Sequence, residues 1–126
     1  QITDGWTVVN FEQIAAWDPD KIFIVVYYRL DPKDVIDTLK ADAQWSKLTA
    51  VKSGELYAFP ADIFGWDNPE PRWILGMTWL AKRMYPERFG DVDVEAEVYA
   101  FFDELYGMTR DEVDAHIMPR VLLDVR

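Results

Sequence analysis

Cysteine is absent from the 126 residues, which removes disulfide scaffolds, thiolate metal sites and cysteine nucleophiles while leaving the redox compartment open. Histidine is nearly absent as well. His116 stands alone, without a second imidazole to build a transition-metal shell, and reads as a structural or surface residue. The two serines, Ser46 and Ser53, lie in no Gly-x-Ser-x-Gly elbow, so a serine hydrolase has no nucleophile to use. The glycines, at positions 5, 54, 65, 76, 90 and 107, never cluster, which excludes a P-loop and a dinucleotide fingerprint. Basic residues are in deficit. Lys and Arg number 13 against 23 Asp and Glu, a net charge of -10, which opposes nucleic-acid binding and anionic membrane surfaces. No apolar run approaches the roughly 18 residues of a membrane-spanning helix; the longest covers residues 22–28. Residues 1–6 carry no initiating Met, basic start or apolar leader region, and read as an internal cut in a longer protein.

What is present is apolar: half of the chain is hydrophobic and 15% is aromatic, enough for one compact domain over residues 1–126. Thr7-Val8-Val9 is a short β-branched run. Asn10 followed by Gln13 opens a helix over residues 11–17. Residues 22–28 form a continuous β-branched and aromatic run, the pattern of a strand covered on both faces. Asp31 with Pro32 starts a helix to about residue 41, with Val35, Ile36 and Leu39 on one face. Trp45, Leu48 and Val51 suggest another short helical segment. Residues 56–59 make a further strand, stopped by Pro60. Beyond Pro69 and Pro71 the pattern predicts a helix over residues 73–84 with Ile74, Met77, Leu80, Ala81 and Met84 as its core stripe. A helix over residues 94–105 buries Val98, Phe101, Phe102 and Leu105, and Thr109 with Glu112 caps a last helix to about residue 118. Val121-Leu122-Leu123 packs as a tail. The order is strand, helix, strand, helix, strand, then three helices. It predicts an α/β, three-layer lobe with a small, mostly parallel sheet flanked by helices and a helical C-terminus. Three strands make so small a sheet that neighbouring strands are expected upstream or from another chain.

The paired carboxylates Asp18 with Asp20, and Asp91 with Asp93, sit at turn punctuation and read as caps rather than as an acid and a base. The unusual segment is residues 59–72, a loop of aromatics, acids and one Arg between a strand end and a helix start. Open α/β sheets bind ligands at that edge, and parallel strands bring the end of the 22–28 run to the same side. The two loops offer Tyr28, Arg29, Phe64, Trp66 and Arg72 to a flat, apolar or anionic ligand. In the alternative, Phe64 and Trp66 plug the core and Arg72 pairs with an acid at the helix start.

Three blocks, in order, resemble a family. Val9-Asn10-Phe11-Glu12-Gln13-Ile14 with Trp17-Asp18-Pro19-Asp20-Lys21-Ile22-Phe23-Ile24 is the first. The second runs from Trp45 through Leu48-Thr49-Ala50-Val51-Lys52-Ser53-Gly54-Glu55-Leu56-Tyr57. The third joins Trp66-Asp67-Asn68-Pro69-Glu70-Pro71-Arg72 to Leu75-Gly76, Trp79-Leu80-Ala81-Lys82 and Tyr85-Pro86-Glu87-Arg88-Phe89. They resemble segments of the substrate-binding proteins of ABC importers for iron siderophores, haem and cobalamin. The resemblance covers about residues 9–90. It implies two α/β lobes joined by a long helix with the ligand between them, of which this chain matches the later part of the C-terminal lobe.

The resemblance further implies a role in transport and no catalysis: capture of a metal chelate, ferric siderophore or haem, and its delivery to the permease subunits. Trp66 and Phe64 then present aromatic surface to the ligand, and Tyr28 and Arg29 match the other cleft-facing strand end. Arg29 or Arg72 neutralises an anionic ligand. Asp67, with Glu70 as second choice, docks on permease arginines, and Asp67 is also a candidate cap for the helix that follows. No resident cofactor and no free-metal site are expected, and the location is periplasmic or extracellular and membrane-anchored. Cobalamin and molybdate-like oxyanions suit the same fold. Two rivals come from other classes: a domain whose Asp62 and Asp67 bind a hard cation or act on a substrate, and an interaction module pairing through an exposed sheet edge with a second copy.

Overall fold

The computed structural model describes residues 7–27 and 30–126. Helix α1, Phe11–Trp17, begins where Asn10 accepts the Gln13 N–H at 2.8 Å and ends at Asp18, which turns left-handed at φ 37°. That turn aims the Asp18 carboxylate at a distant helix start. It accepts the Thr49 N–H at 2.8 Å and the Thr49 hydroxyl at 2.7 Å, so a residue 31 positions away caps the short helix α3, Thr49–Lys52. Helix α2, Pro32–Ala41, starts at Asp31, whose side chain accepts the Lys33 N–H. A single 3-10 turn, Trp45–Lys47, leads from it into α3.

Strands β1, Ile22–Ile24, and β2, Leu56–Ala58, pair in parallel with Ile22 opposite Leu56, Phe23 opposite Tyr57 and Ile24 opposite Ala58. Alternation along each strand sorts the side chains to two faces. Ile22, Ile24, Leu56 and Ala58 meet Ile36 and Leu39 of α2. Phe23 and Tyr57 turn to the other side and meet Trp79 in a larger cluster with Val98, Phe102 and Val113. The sheet is therefore the middle layer of three, as expected. It is smaller than the apolar pattern predicts. The ladder stops at Ile24, where the Phe59 N–H donates its last bond at 2.8 Å, as the chain beyond turns into the loop that the Trp66 backbone N–H closes on the Pro60 carbonyl at 3.0 Å. Thr7-Val8-Val9 forms no strand: Val8 is wholly exposed and the run finds no partner among the described residues, and β-branched residues do not make a strand without one. The chain is mostly helical around a two-stranded parallel sheet.

The C-terminal tail covers the outer edge of β2. The Ala58 N–H donates to the Val125 carbonyl at 2.8 Å and the Leu122 N–H to Ala61 at 3.0 Å, in an antiparallel sense. The Trp79 indole N–H fixes the tail by donating to the Leu123 carbonyl at 2.7 Å.

Helix α4, Trp73–Met84, takes the predicted bounds but not the predicted face. Leu75, Gly76 and Trp79 are buried, whereas Ile74, Met77 and Met84 are exposed. Gly76 explains the rotation. A Cβ there would lie 2.4 Å from the Trp66 carbonyl oxygen and 3.0 Å from the Phe59 ring, so only glycine lets α4 lie this close to the preceding loop. Arg83 belongs to the same inward side, its guanidinium over Tyr57 at 5.3 Å and Trp79 at 5.6 Å. A face built on a glycine and an arginine is invisible to a hydrophobicity count.

After the short helix α5, Pro86–Phe89, helix α6, Val94–Tyr106, buries Val94, Val98, Phe101 and Phe102. Leu105, expected inside, is exposed: it shares the face of Val94 but lies in the last turn of the helix, just before Gly107. Gly107, at φ 64°, ends the helix while Met108 N–H returns to the Phe102 carbonyl. Helix α7, Arg110–His116, opens on the predicted capping box of Thr109 and Glu112.

Candidate functional site

Parallel strands deliver their following loops to one edge, and a hydrogen bond joins those loops here. The Tyr27 hydroxyl, beyond β1, donates to Asp67 Oδ2 in the loop beyond β2. Tyr28 and Arg29, the ligand candidates from the first loop, lie outside the described residues.

The second loop is organised around Asp62, whose side chain is 0% exposed. One oxygen accepts the Phe64 backbone N–H at 3.0 Å, and the other accepts the Trp66 indole N–H at 3.3 Å and Arg72 Nε at 2.9 Å. Arg72 also donates from Nη1 to Glu70 at 2.9 Å. Its side chain is 12% exposed, and its guanidinium lies 5.5 Å from the Phe64 ring, 5.6 Å from Phe102 and 6.0 Å from Tyr106. Burial works against its charge, but the carboxylates of Asp62 and Glu70 outweigh that effect and hold the guanidinium above its ordinary range.

The two aromatics proposed for ligand contact part company. Phe64 is 59% exposed, with Ile63 exposed beside it. Trp66 is 0% exposed and packs with Leu75, Trp79 and Phe102; as folded, its indole is a core plug unavailable to a ligand. The pull inward is local, since the Trp66 N–H donates to the Pro60 carbonyl at 3.0 Å and closes the loop back on its start.

Asp67 and Glu70 are half-buried and engaged, Asp67 with Tyr27 and Glu70 with Arg72, and each keeps one buried oxygen, Asp67 Oδ1 and Glu70 Oε1, without a hydrogen-bond partner. Asp67 does not cap α4, which has no side-chain cap. As for a hard cation at Asp62, three donors already occupy that carboxylate. Among the described residues no group of three His, Cys, Asp or Glu is placed to hold a metal ion.

Sequence reasoning missed Tyr27 and the exposed pair Trp73 and Ile74 that follow the loop at the start of α4. Counting alternate positions from Phe23, a core residue of the Tyr57 face, reaches Tyr27, and that signal was available. Ile74 falls in the core stripe that the spacing predicts for α4, which masks it.

The described residues form one α/β layer unit with exposed aromatic surface beyond the carboxyl ends of its parallel strands. The sequence model of the family described as periplasmic binding protein matches residues 1–63, half of the chain. The chain belongs to the periplasmic binding protein family. It is 31% identical over 103 residues to the molybdate-binding protein MolA of Haemophilus influenzae, a match covering 81% of this chain and 28% of MolA. Among solved structures, it is similar to a periplasmic solute binding protein of Veillonella parvula, at TM-score 0.70 and 28% identity over 91% of this chain and 36% of that one. Molybdate-bound MolA, described as the periplasmic binding protein of an ABC transporter, gives TM-score 0.62 and 30% identity over 80% and 30%. CeuE of Helicobacter pylori with Ni(II) bound gives TM-score 0.63 and 27% identity over 86% and 34%. The chain thus spans about a third of the length of these relatives.

Proposed function

We propose that this chain is part of the solute-binding component of an ABC importer, working outside the cytoplasm, and that the edge around Phe64 contacts the cargo. The observation that carries this reading is the Phe64 ring, 59% exposed beyond the carboxyl end of β2 and backed by a guanidinium 5.5 Å away. An exposed ring on a rigid support offers stacking area at little entropic cost. The protein does no chemistry on its cargo and needs no resident cofactor; it binds, holds and hands over. Asp67 and Glu70, at the same edge, are the candidates for contact with permease arginines.

The cargo is a metal chelate, ferric siderophore or haem. Two carboxylates already meet the charge of Arg72, which leaves the aromatic surface, rather than that guanidinium, as the loop's means of recognition. Neutralising an anionic chelate then falls to Arg29. A second reading, oxyanion capture, is favoured by the 31% identity to MolA.

Tryptophan fluorescence of the natural full-length protein, titrated with a ferric siderophore, haemin, cobalamin and molybdate, tests both. Saturable quenching by the siderophore or by haemin supports the chelate reading. Saturation by molybdate alone selects the second, and silence from all four at micromolar concentration overturns the binding role.

A further inference from the structure

The geometry points to Asp62 as the positioning residue of this edge, the buried carboxylate that sets where the Phe64 ring stands and keeps Arg72 from acting as a free anion site. The inference rests on the reading of Phe64 as a cargo contact. Asp62 touches no solvent and so no ligand. It acts on Phe64 from two sides. Through Oδ1 it holds the Phe64 backbone N–H at 3.0 Å, which fixes where the ring leaves the chain. Through Oδ2 it holds Arg72 Nε at 2.9 Å, and Arg72 in turn lies 5.5 Å from the centre of the same ring. The third donor, the Trp66 indole at 3.3 Å, ties the arrangement to the core.

Asparagine separates these contacts without changing the volume. An amide has one acceptor oxygen where the carboxylate has two, and charge-assisted bonds are the stronger. The amide oxygen therefore turns to Arg72, and its NH2 group faces the Phe64 N–H, donor against donor. D62N also removes one of the two negative charges that meet the guanidinium.

The test is a double-mutant cycle on the natural full-length protein, using whichever of haemin, ferric siderophore, cobalamin or molybdate binds it. D62N weakens a chelate about tenfold in the wild-type background, the loss of one charge-assisted hydrogen bond. In the Phe64→Ala background it does not weaken the chelate beyond about twofold, because the ring through which Asp62 acts is gone and the charge freed on Arg72 favours an anionic chelate as it does molybdate. Equal weakening in both backgrounds, or none in either, overturns the proposal. Molybdate affinity moves the other way, rising in D62N as Arg72 gains free charge; a fall overturns the charge-masking role. If Phe64→Ala binds as tightly as wild type, the reading of the edge fails, and amide hydrogen exchange judges Asp62 alone. The Phe64 amide then exchanges at least about tenfold faster in D62N while amides in β2 are unchanged, and an unchanged Phe64 amide overturns the positioning role. Should D62N fail to fold, R72K runs the same cycle, since an ammonium keeps the charge but lacks the fork that reaches Asp62 and Glu70 together.

Discussion

Trp66→Ala separates a core plug from a ligand contact, and its size follows from the packing. The indole is wholly buried among Leu75, Trp79 and Phe102, and truncating a buried Trp to Ala costs about 3–5 kcal/mol in lost burial and cavity. The indole hydrogen bond adds little. At 3.3 Å it is long, and Asp62 Oδ2 keeps the Arg72 donor, so no buried acceptor is orphaned. In the transition of a domain of this size, with a denaturation slope of about 2 kcal/mol/M, a loss of about 4 kcal/mol lowers the urea midpoint by about 2 M, a large part of the 5–15 kcal/mol that holds a typical domain together. Phe64→Ala, which removes an exposed ring, moves the midpoint by less than about 0.5 M. The assay is urea unfolding followed by far-ultraviolet circular dichroism on the full-length protein and both variants. A loss below about 1 kcal/mol for Trp66→Ala, together with collapse of ligand affinity, would refute the burial argument and return Trp66 to the binding surface.

Gly76→Ala gains up to about 1 kcal/mol of helix propensity but drives a methyl group to 2.4 Å from the Trp66 carbonyl. Overpacking at about 1–3 kcal/mol wins, and thermal unfolding reports net destabilisation; a raised melting temperature contradicts the close approach of α4 to the loop. Thr109→Ala breaks the capping box of α7 and costs about 1 kcal/mol in urea unfolding, whereas no change would mean that α7 contributes nothing to the cooperative unit. Asp18 and Glu112 are held below their ordinary carboxylate range by the backbone N–H groups of Thr49 and Thr109 respectively. A carboxyl lowered in the folded state stabilises it above the unfolded range and loses that contribution as pH falls through the folded value. Melting temperature therefore declines progressively below about pH 4; constancy from there to about pH 2 contradicts the capping roles.

The helices were legible because their ends are written in short-range chemistry. Asn10, Asp31 and Thr109 are side-chain caps that act within three residues of themselves, and each marks its helix start correctly. What the sequence hid depends on distance. Asp18 reads as a turn residue until Thr49 is seen beside it. The inward face of α4 is chosen by contact with the Trp66 backbone, so Gly76 and Arg83 went inside while Ile74 and Met77 stayed out. At the edge, Phe64 and Trp66 look equivalent in the chain, and the contacts that send one ring inward, the Trp66 backbone bond to Pro60, its indole bond to Asp62 and its packing in the core, appear only in the fold. The alternative reading of Arg72, pairing with an acid at the helix start, is met by Glu70, and the fold adds Asp62 as a second partner that the reading did not include. Strand length was overread because apolar residues at positions 25–27 continue beyond the point where β2 can pair.

Calorimetric titration of the natural full-length protein and its Phe64→Ala variant, with the probe that gives saturable quenching, tests the central claim most directly. Removing an exposed stacking ring that leaves the fold intact weakens a chelate about tenfold, with no change in the urea midpoint beyond about 0.5 M. Equal affinity in the two proteins would contradict the assignment of this edge to the cargo.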